Sequence, residues 1–162
     1  TEILHSFVPR KNRKEAVGYF NRLINSKDLN KHLIVFKYVN KVLERLKEKK
    51  IKIGVATGNN RENMNYILSK NNMESKIDFS VSDEDVKKGK PDPEMLLKIL
   101  KSAKINPDEV LYVGDAFFDI ETAKNAGVKS CAVLTGVLNK KEAEESKPDF
   151  IFDDIRGVLK LV

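Results

Sequence analysis

Val110-Leu111-Tyr112-Val113-Gly114-Asp115-Ala116-Phe117-Phe118-Asp119-Ile120 is the stretch on which the fold turns. Val110 to Val113 reads as a β-type run, Gly114 ends it, and two carboxylates follow four residues apart. Ile120 to Ala126 then reads as a short helix closed by Gly127. Two acids at the end of a buried strand are costly to desolvate without a partner. A divalent cation is the usual one, and Mg²⁺ takes one or two carboxylates together with phosphate and water. The competing reading is that Asp115 and Asp119 merely cap the following helix.

Two other segments bear on that choice. Ile51-Lys52-Ile53-Gly54-Val55-Ala56 reads as a strand running into Thr57-Gly58-Asn59-Asn60. A hydroxyl, a glycine and an amide then occupy a strand-to-helix turn, whose backbone N–H groups form an anion site. The plainer alternative is a turn with Asn60 as N-cap. In Lys88-Gly89-Lys90-Pro91-Asp92-Pro93-Glu94, Asp92 suits an N-cap and Pro93 a first helical position. Met95, Leu96, Ile99 and Leu100 share one face of the helix that follows. Lys90 is either solvated surface or a point charge for a phosphate.

Strands are expected near Ile51–Ala56, Ile77–Val81, Val110–Gly114, Ser130–Leu134 and Phe150–Phe152. Helices are expected near Asn40–Lys50, Arg61–Asn71, Pro93–Ala103, Ile120–Ala126, Lys140–Glu145 and Asp154–Leu161. This alternation implies an α/β fold with parallel pairing through crossovers. Open parallel sheets bind ligands at the C-terminal ends of their strands. Thr57, Lys90, Asp115 and Asp119 all fall at strand ends or in strand-to-helix loops, which together make a phosphate-plus-metal site.

From about Phe36 to Val162 the chain resembles the haloacid dehalogenase superfamily, in its phosphoglycolate-phosphatase-like branch. Gly54-Val55-Ala56-Thr57-Gly58-Asn59 is similar to the family's second motif and Gly89-Lys90-Pro91-Asp92-Pro93 to its third. Gly114-Asp115 through Asp119 is similar to the fourth, and Pro148 to Asp154 to family C-termini. The resemblance implies a Rossmann-like parallel sheet flanked by helices. It also implies Mg²⁺-dependent hydrolysis of a small phosphorylated substrate, a phosphomonoester, through an aspartyl-phosphate. It places Asp115 and Asp119 at the metal and Thr57, Gly58, Asn59 and Lys90 at the phosphate. Thr57, Lys90 and Asp115 become the catalytic candidates.

One departure matters. The family's first motif is a strand ending in Asp-x-Asp, whose first aspartate attacks phosphorus and whose second acts as general acid and base. The only Asp-x-Asp here, Asp83-Glu84-Asp85, reads as a loop after the wrong strand. His32 to Val39 is strand-like but carries Lys37 and Val39 where the acids would fall. The sequence opens at Thr1 without an initiator Met, and Lys14 to Asn25 reads as an amphipathic helix with Ala16, Phe20, Leu23 and Ile24 on one face. By resemblance, residues 1–30 are the remnant of a helical cap and 31–162 a core lacking its usual first strand. A missing N-terminal segment or a second chain would supply that central strand; alternatively, Leu33 to Tyr38 fills its place. Two other functions stay open: a non-catalytic phosphate- or partner-binding domain, and a 2-haloacid dehalogenase, whose metal-free chemistry fits the acid pair less well.

Composition narrows the rest. No run of about 18 apolar residues is present, so no membrane-spanning helix is expected. A single cysteine, Cys131, precludes an internal disulfide and sits in an apolar strand as a core residue. A cytoplasmic location is the default. Residues 1–50 carry 13 Lys and Arg against 5 Asp and Glu, and residues 51–162 carry 17 against 19. The basic run Arg10-Lys11-Asn12-Arg13-Lys14 suits solvated surface or the steering of anionic substrates. It lacks the interleaved aromatic residues that would favour nucleic acid. His5 and His32 have no neighbours that make a zinc site. No Gly-x-Gly-x-x-Gly follows a strand, which argues against a dinucleotide-binding oxidoreductase.

Overall fold

The computed structural model describes residues 35–162. Expectations for the cap remnant, the Lys14–Asn25 helix, the basic run and both histidines lie outside those residues. Five strands are present among the described residues: β1 (Gly54–Ala56), β2 (Phe79–Val81), β3 (Leu111–Gly114), β4 (Lys129–Val133) and β5 (Phe150–Phe152). Five α-helices alternate with them: α1 (Val39–Glu48), α2 (Arg61–Lys70), α3 (Glu94–Ala103), α4 (Phe117–Ala126) and α5 (Lys140–Glu145). All strand pairs are parallel, as the alternation implied. They form two sheets, β1-β2 and β3-β4-β5, with no strand joining β1 to β3 among the described residues.

The strands present alternate faces, and that alternation sorts the helices into two layers. Tyr112 of β3 and Ala56 of β1 pack on Leu96 and Leu100 of α3 and Ala123 and Ala126 of α4. Leu111 and Val113, one residue either side of Tyr112, join Leu46 of α1 and Val158 on the opposite face. Val55 likewise turns toward Met64 and Leu68 of α2. The helix α3 therefore covers both sheets. Cys131 lies fully buried in β4, where burial pushes its thiol up to about 11 and leaves it inert.

Several boundaries differ from expectation. The helix expected from Ile120 begins at Phe117, so Asp119 sits inside its first turn. Asp154–Leu161 is a 3₁₀ helix over Ile155–Lys160, capped by the Asp154 carboxylate. The strands expected from Ile51 and Ile77 start at Gly54 and Phe79, because Ile53 accepts through its carbonyl from Asp78 and Phe79 in an irregular crossing. Finally, residues 35–38 form no strand: they turn into α1 with Phe36 exposed, so the described part of Leu33–Tyr38 does not fill the space between β1 and β3.

Candidate active site

Asp119 is the hub of the expected acid pair. It is only 7% exposed, and both carboxylate oxygens are engaged. Its Oδ1 takes a hydrogen bond from Lys90 Nζ at 2.7 Å and another from the Tyr112 hydroxyl at 3.1 Å. Its Oδ2 accepts from the backbone N–H groups of Asp115 and Ala116, both at 3.2 Å. Asp119 does cap the helix: Ala116 has no side-chain oxygen, and Asp119 reaches back from the first turn to accept from the Asp115 and Ala116 amides. Gly114 makes this possible, because a Cβ there would lie 2.2 Å from the Asp119 Cβ.

Asp115 is in the opposite condition. It is half-buried at the end of β3, and no hydrogen bond to its carboxylate occurs among the described residues. Its backbone carbonyl accepts from Leu138 N at 3.0 Å, which ties the loop after β4 to the end of β3. Within the described residues, the Asp115 carboxylate is thus available to a further partner, whereas that of Asp119 is fully engaged. Among the described residues no cluster of three or more His, Cys, Asp or Glu side chains could hold a metal. A cation that takes one or two carboxylates and fills its remaining positions with water and phosphate, as Mg²⁺ does, fits this donor set.

Lys90 arrives from the loop before α3. Its ammonium is held between the Asp119 carboxylate and the Tyr112 ring, 5.3 Å from the ring centroid. Burial pushes the Tyr112 phenol well above its ordinary value, and the Asp119 charge adds to the effect. Tyr112 meets Asp119 as a hydrogen-bond donor. Asp92 is not the N-cap expected: Pro93 holds that position and α3 starts at Glu94, whose N–H donates to the Asp92 carboxylate from two residues on at 3.0 Å.

Thr57, Gly58 and Asn59 occupy the turn after β1 as expected. Thr57 N donates to Val81 O of β2, and the Thr57 hydroxyl accepts from Asn59 N at 3.2 Å. Asn60 caps α2 through Asn63 N at 2.8 Å. No hydrogen bond links this turn to the Lys90–Asp119 cluster; the two are related through α3, against which both Ala56 and Tyr112 pack. The structure thus brings Lys90, Asp115 and Asp119 together directly and leaves Thr57–Asn59 at the end of β1, in the other sheet.

Two residues escaped the sequence reading. Tyr112 carried a signal: a polar tip in an otherwise apolar strand needs a partner when buried. Gly136 carried a weaker one, a glycine just past the end of β4, where the other site residues also sit at strand ends.

A three-layered parallel α/β fold with these groups at its strand ends is that of a haloacid dehalogenase-like hydrolase, and the model of that family matches residues 1–133. The chain belongs to this family. It is 36% identical over 138 residues to a protein named "Putative pyrophosphatase PpaX" from Caldanaerobacter subterraneus subsp. tengcongensis, covering 85% of this chain and 63% of that one. It is 32% identical over 127 residues to the pyrophosphatase PpaX of Bacillus thuringiensis, covering 78% and 59%. The chain thus spans about three fifths of the length of these curated relatives. A haloacid dehalogenase-like family hydrolase from Streptococcus pneumoniae superposes with a TM-score of 0.84 over 97% of this chain and 73% of its own. At 16% identity that likeness speaks for the fold alone.

Proposed function

We propose that this chain is the greater part of a Mg²⁺-dependent phosphohydrolase acting on a small phosphorylated substrate, a phosphomonoester or, as the names of its relatives suggest, pyrophosphate. The observation that carries the reading is the Asp115 carboxylate, without a hydrogen bond among the described residues, beside the Lys90–Asp119 pair at the end of β3. Asp115 is the residue that would hold the cation directly. Asp119, with its four donors, would act from behind it by fixing Lys90 and the Asp115 backbone. When bound, Mg²⁺ supplies charge stabilisation to the phosphoryl group in flight.

The remaining tasks belong to the protein's own groups. The Thr57 hydroxyl, held by the Asn59 N–H, would orient phosphate oxygens together with the Gly58 and Asn59 turn. Lys90 would offset negative charge between phosphate and nucleophile, held there by Asp119. The nucleophile itself would be an aspartate on a strand lying between β1 and β3, as the family resemblance implies, and would form an aspartyl-phosphate that water then cleaves. That strand would come from a preceding segment or a second chain, and residues 1–30 would be the remnant of the cap.

The test is hydrolysis of p-nitrophenyl phosphate and of pyrophosphate by the complete natural protein, with and without Mg²⁺. Metal-dependent turnover, lost in Asp115→Asn, is expected. Binding of Mg²⁺ and phosphate with no hydrolysis of either would favour a non-catalytic phosphate-binding domain instead.

A further inference from the structure

Gly136 lies in the loop between β4 and α5, and its own backbone does not explain it. Its φ lies outside the left-handed region, where Gly127 is the only glycine among the described residues. A residue with a side chain could adopt the same conformation. What the position excludes is the side chain itself. A Cβ at 136 would lie 1.6 Å from Asp115 Oδ2, 2.3 Å from its Cγ and 2.4 Å from its Cβ. Rotating the carboxylate away would not clear the last of these contacts. Either the loop lifts or Asp115 moves bodily.

The same loop grips Asp115 a second time, through the bond from Leu138 N to the Asp115 carbonyl at 3.0 Å. Leu138 is anchored in turn, buried with Ile120 of α4, Ala132 of β4 and Ala143 of α5. The loop is therefore pinned beyond Gly136 and crosses the carboxylate at the one residue that has no side chain. We propose that Gly136 is a positioning residue for Asp115: its bare Cα forms the wall against which the unpaired carboxylate is held, so that loop and carboxylate are set as one unit. The cation-binding consequence rests on the reading of Asp115 given above; the packing itself does not.

The test has two arms, both on the complete protein. In the first, thermal midpoints are measured for wild type, Gly136→Ala, Asp115→Gly and the double variant. Gly136→Ala is expected to lower the midpoint by about 3 °C or more in the wild type and by clearly less in the Asp115→Gly background, which removes the atoms the new methyl meets. Additive shifts would overturn the proposal.

In the second arm, Mg²⁺ alone is titrated calorimetrically. Gly136→Ala should bind it about tenfold or more weakly, in the range seen when groups that orient a ligand are disturbed. Val137→Ala, altered at the neighbouring residue that is 77% exposed, should bind as wild type does. Unchanged affinity in Gly136→Ala, with Asp115→Asn clearly weakened, would overturn the positioning role. Unchanged affinity in Asp115→Asn would instead remove the cation reading of Asp115 and leave the thermal cycle to decide the packing.

Discussion

Asp115 and Asp119 are four residues apart and chemically alike, yet their surroundings give them opposite weights. Asp119 accepts four hydrogen bonds, one of them from a charged donor. Replacing it with Ala would take from the Lys90 ammonium and the partly buried Tyr112 hydroxyl their shared acceptor. A loss of about 2–4 kcal/mol in urea unfolding is expected. Asp115 has no such partners among the described residues and lies near another negative charge, so Asp115→Asn should leave stability within about 0.5 kcal/mol of wild type, or raise it, while abolishing metal-dependent turnover. Equal stability losses in the two variants would show that the carboxylates are not divided in this way. Tyr112→Phe keeps the ring under Lys90 and removes only the hydroxyl bond to Asp119. It should cost about 1.5–3 kcal/mol, the usual worth of a hydrogen bond to a charged acceptor.

At the scale of elements, the sequence was most legible where local chemistry acts alone. Asn60 and its cap, the apolar face of α3 and the glycine closing α4 all follow from residue type and spacing. It was least legible where a residue answers to something distant in the chain. The early start of α4 at Phe117 depends on Asp119 reaching back over Ala116, a reversal of the usual cap that no residue before the helix announces. Gly136 is explained by Asp115, twenty-one positions earlier, and only in three dimensions.

Asp83-Glu84-Asp85 shows the same contrast. Read as a polar loop, it is a 3₁₀ turn whose Asp85 carboxylate accepts from both the backbone and the hydroxyl of fully buried Ser82 and pairs with Arg61 at the start of α2. Those bonds, the Ser82 backbone first, lower the Asp85 carboxyl to about 2. Its folded value lies below the unfolded value of about 3.9, so its stabilisation is full above that pH and is lost as pH falls toward 2. Asp85→Asn should therefore reduce stability by about 1 kcal/mol at neutral pH and by progressively less in acid unfolding between about pH 4 and pH 2. A difference independent of pH would mean that the Asp85 charge is not what holds the turn.

For the molecule as a whole, the arrangement of strands makes its own demand. β4 has neighbours on both sides and is buried from Ser130 to Val133. β1 and β3 each have one neighbour among the described residues, and neither contains a fully buried residue. Strands of a parallel α/β sheet are ordinarily covered on both faces and paired on both edges. The half-burial of β1 and β3 is shared by β5, which also has one neighbour among the described residues, and α3 covers both β1 and β3. A parallel strand inserted between them would add about six backbone hydrogen bonds, each worth roughly 0.5–1.5 kcal/mol net, which is comparable with the total stability of many domains. It would also deliver its C-terminal residues beside Thr57 and Asp115, where the proposed chemistry requires a nucleophile. Hydrogen exchange followed by mass spectrometry checks this. With the proposed preceding segment or second chain present, amides of 54–56 and 111–114 should be protected nearly as well as those of β4. In the 162-residue chain alone they should exchange faster by at least about tenfold, with β4 much less affected. Equal protection of β1 and β3 in the two proteins would mean that both edges are already satisfied within these 162 residues, and the nucleophile would then have to be sought among them.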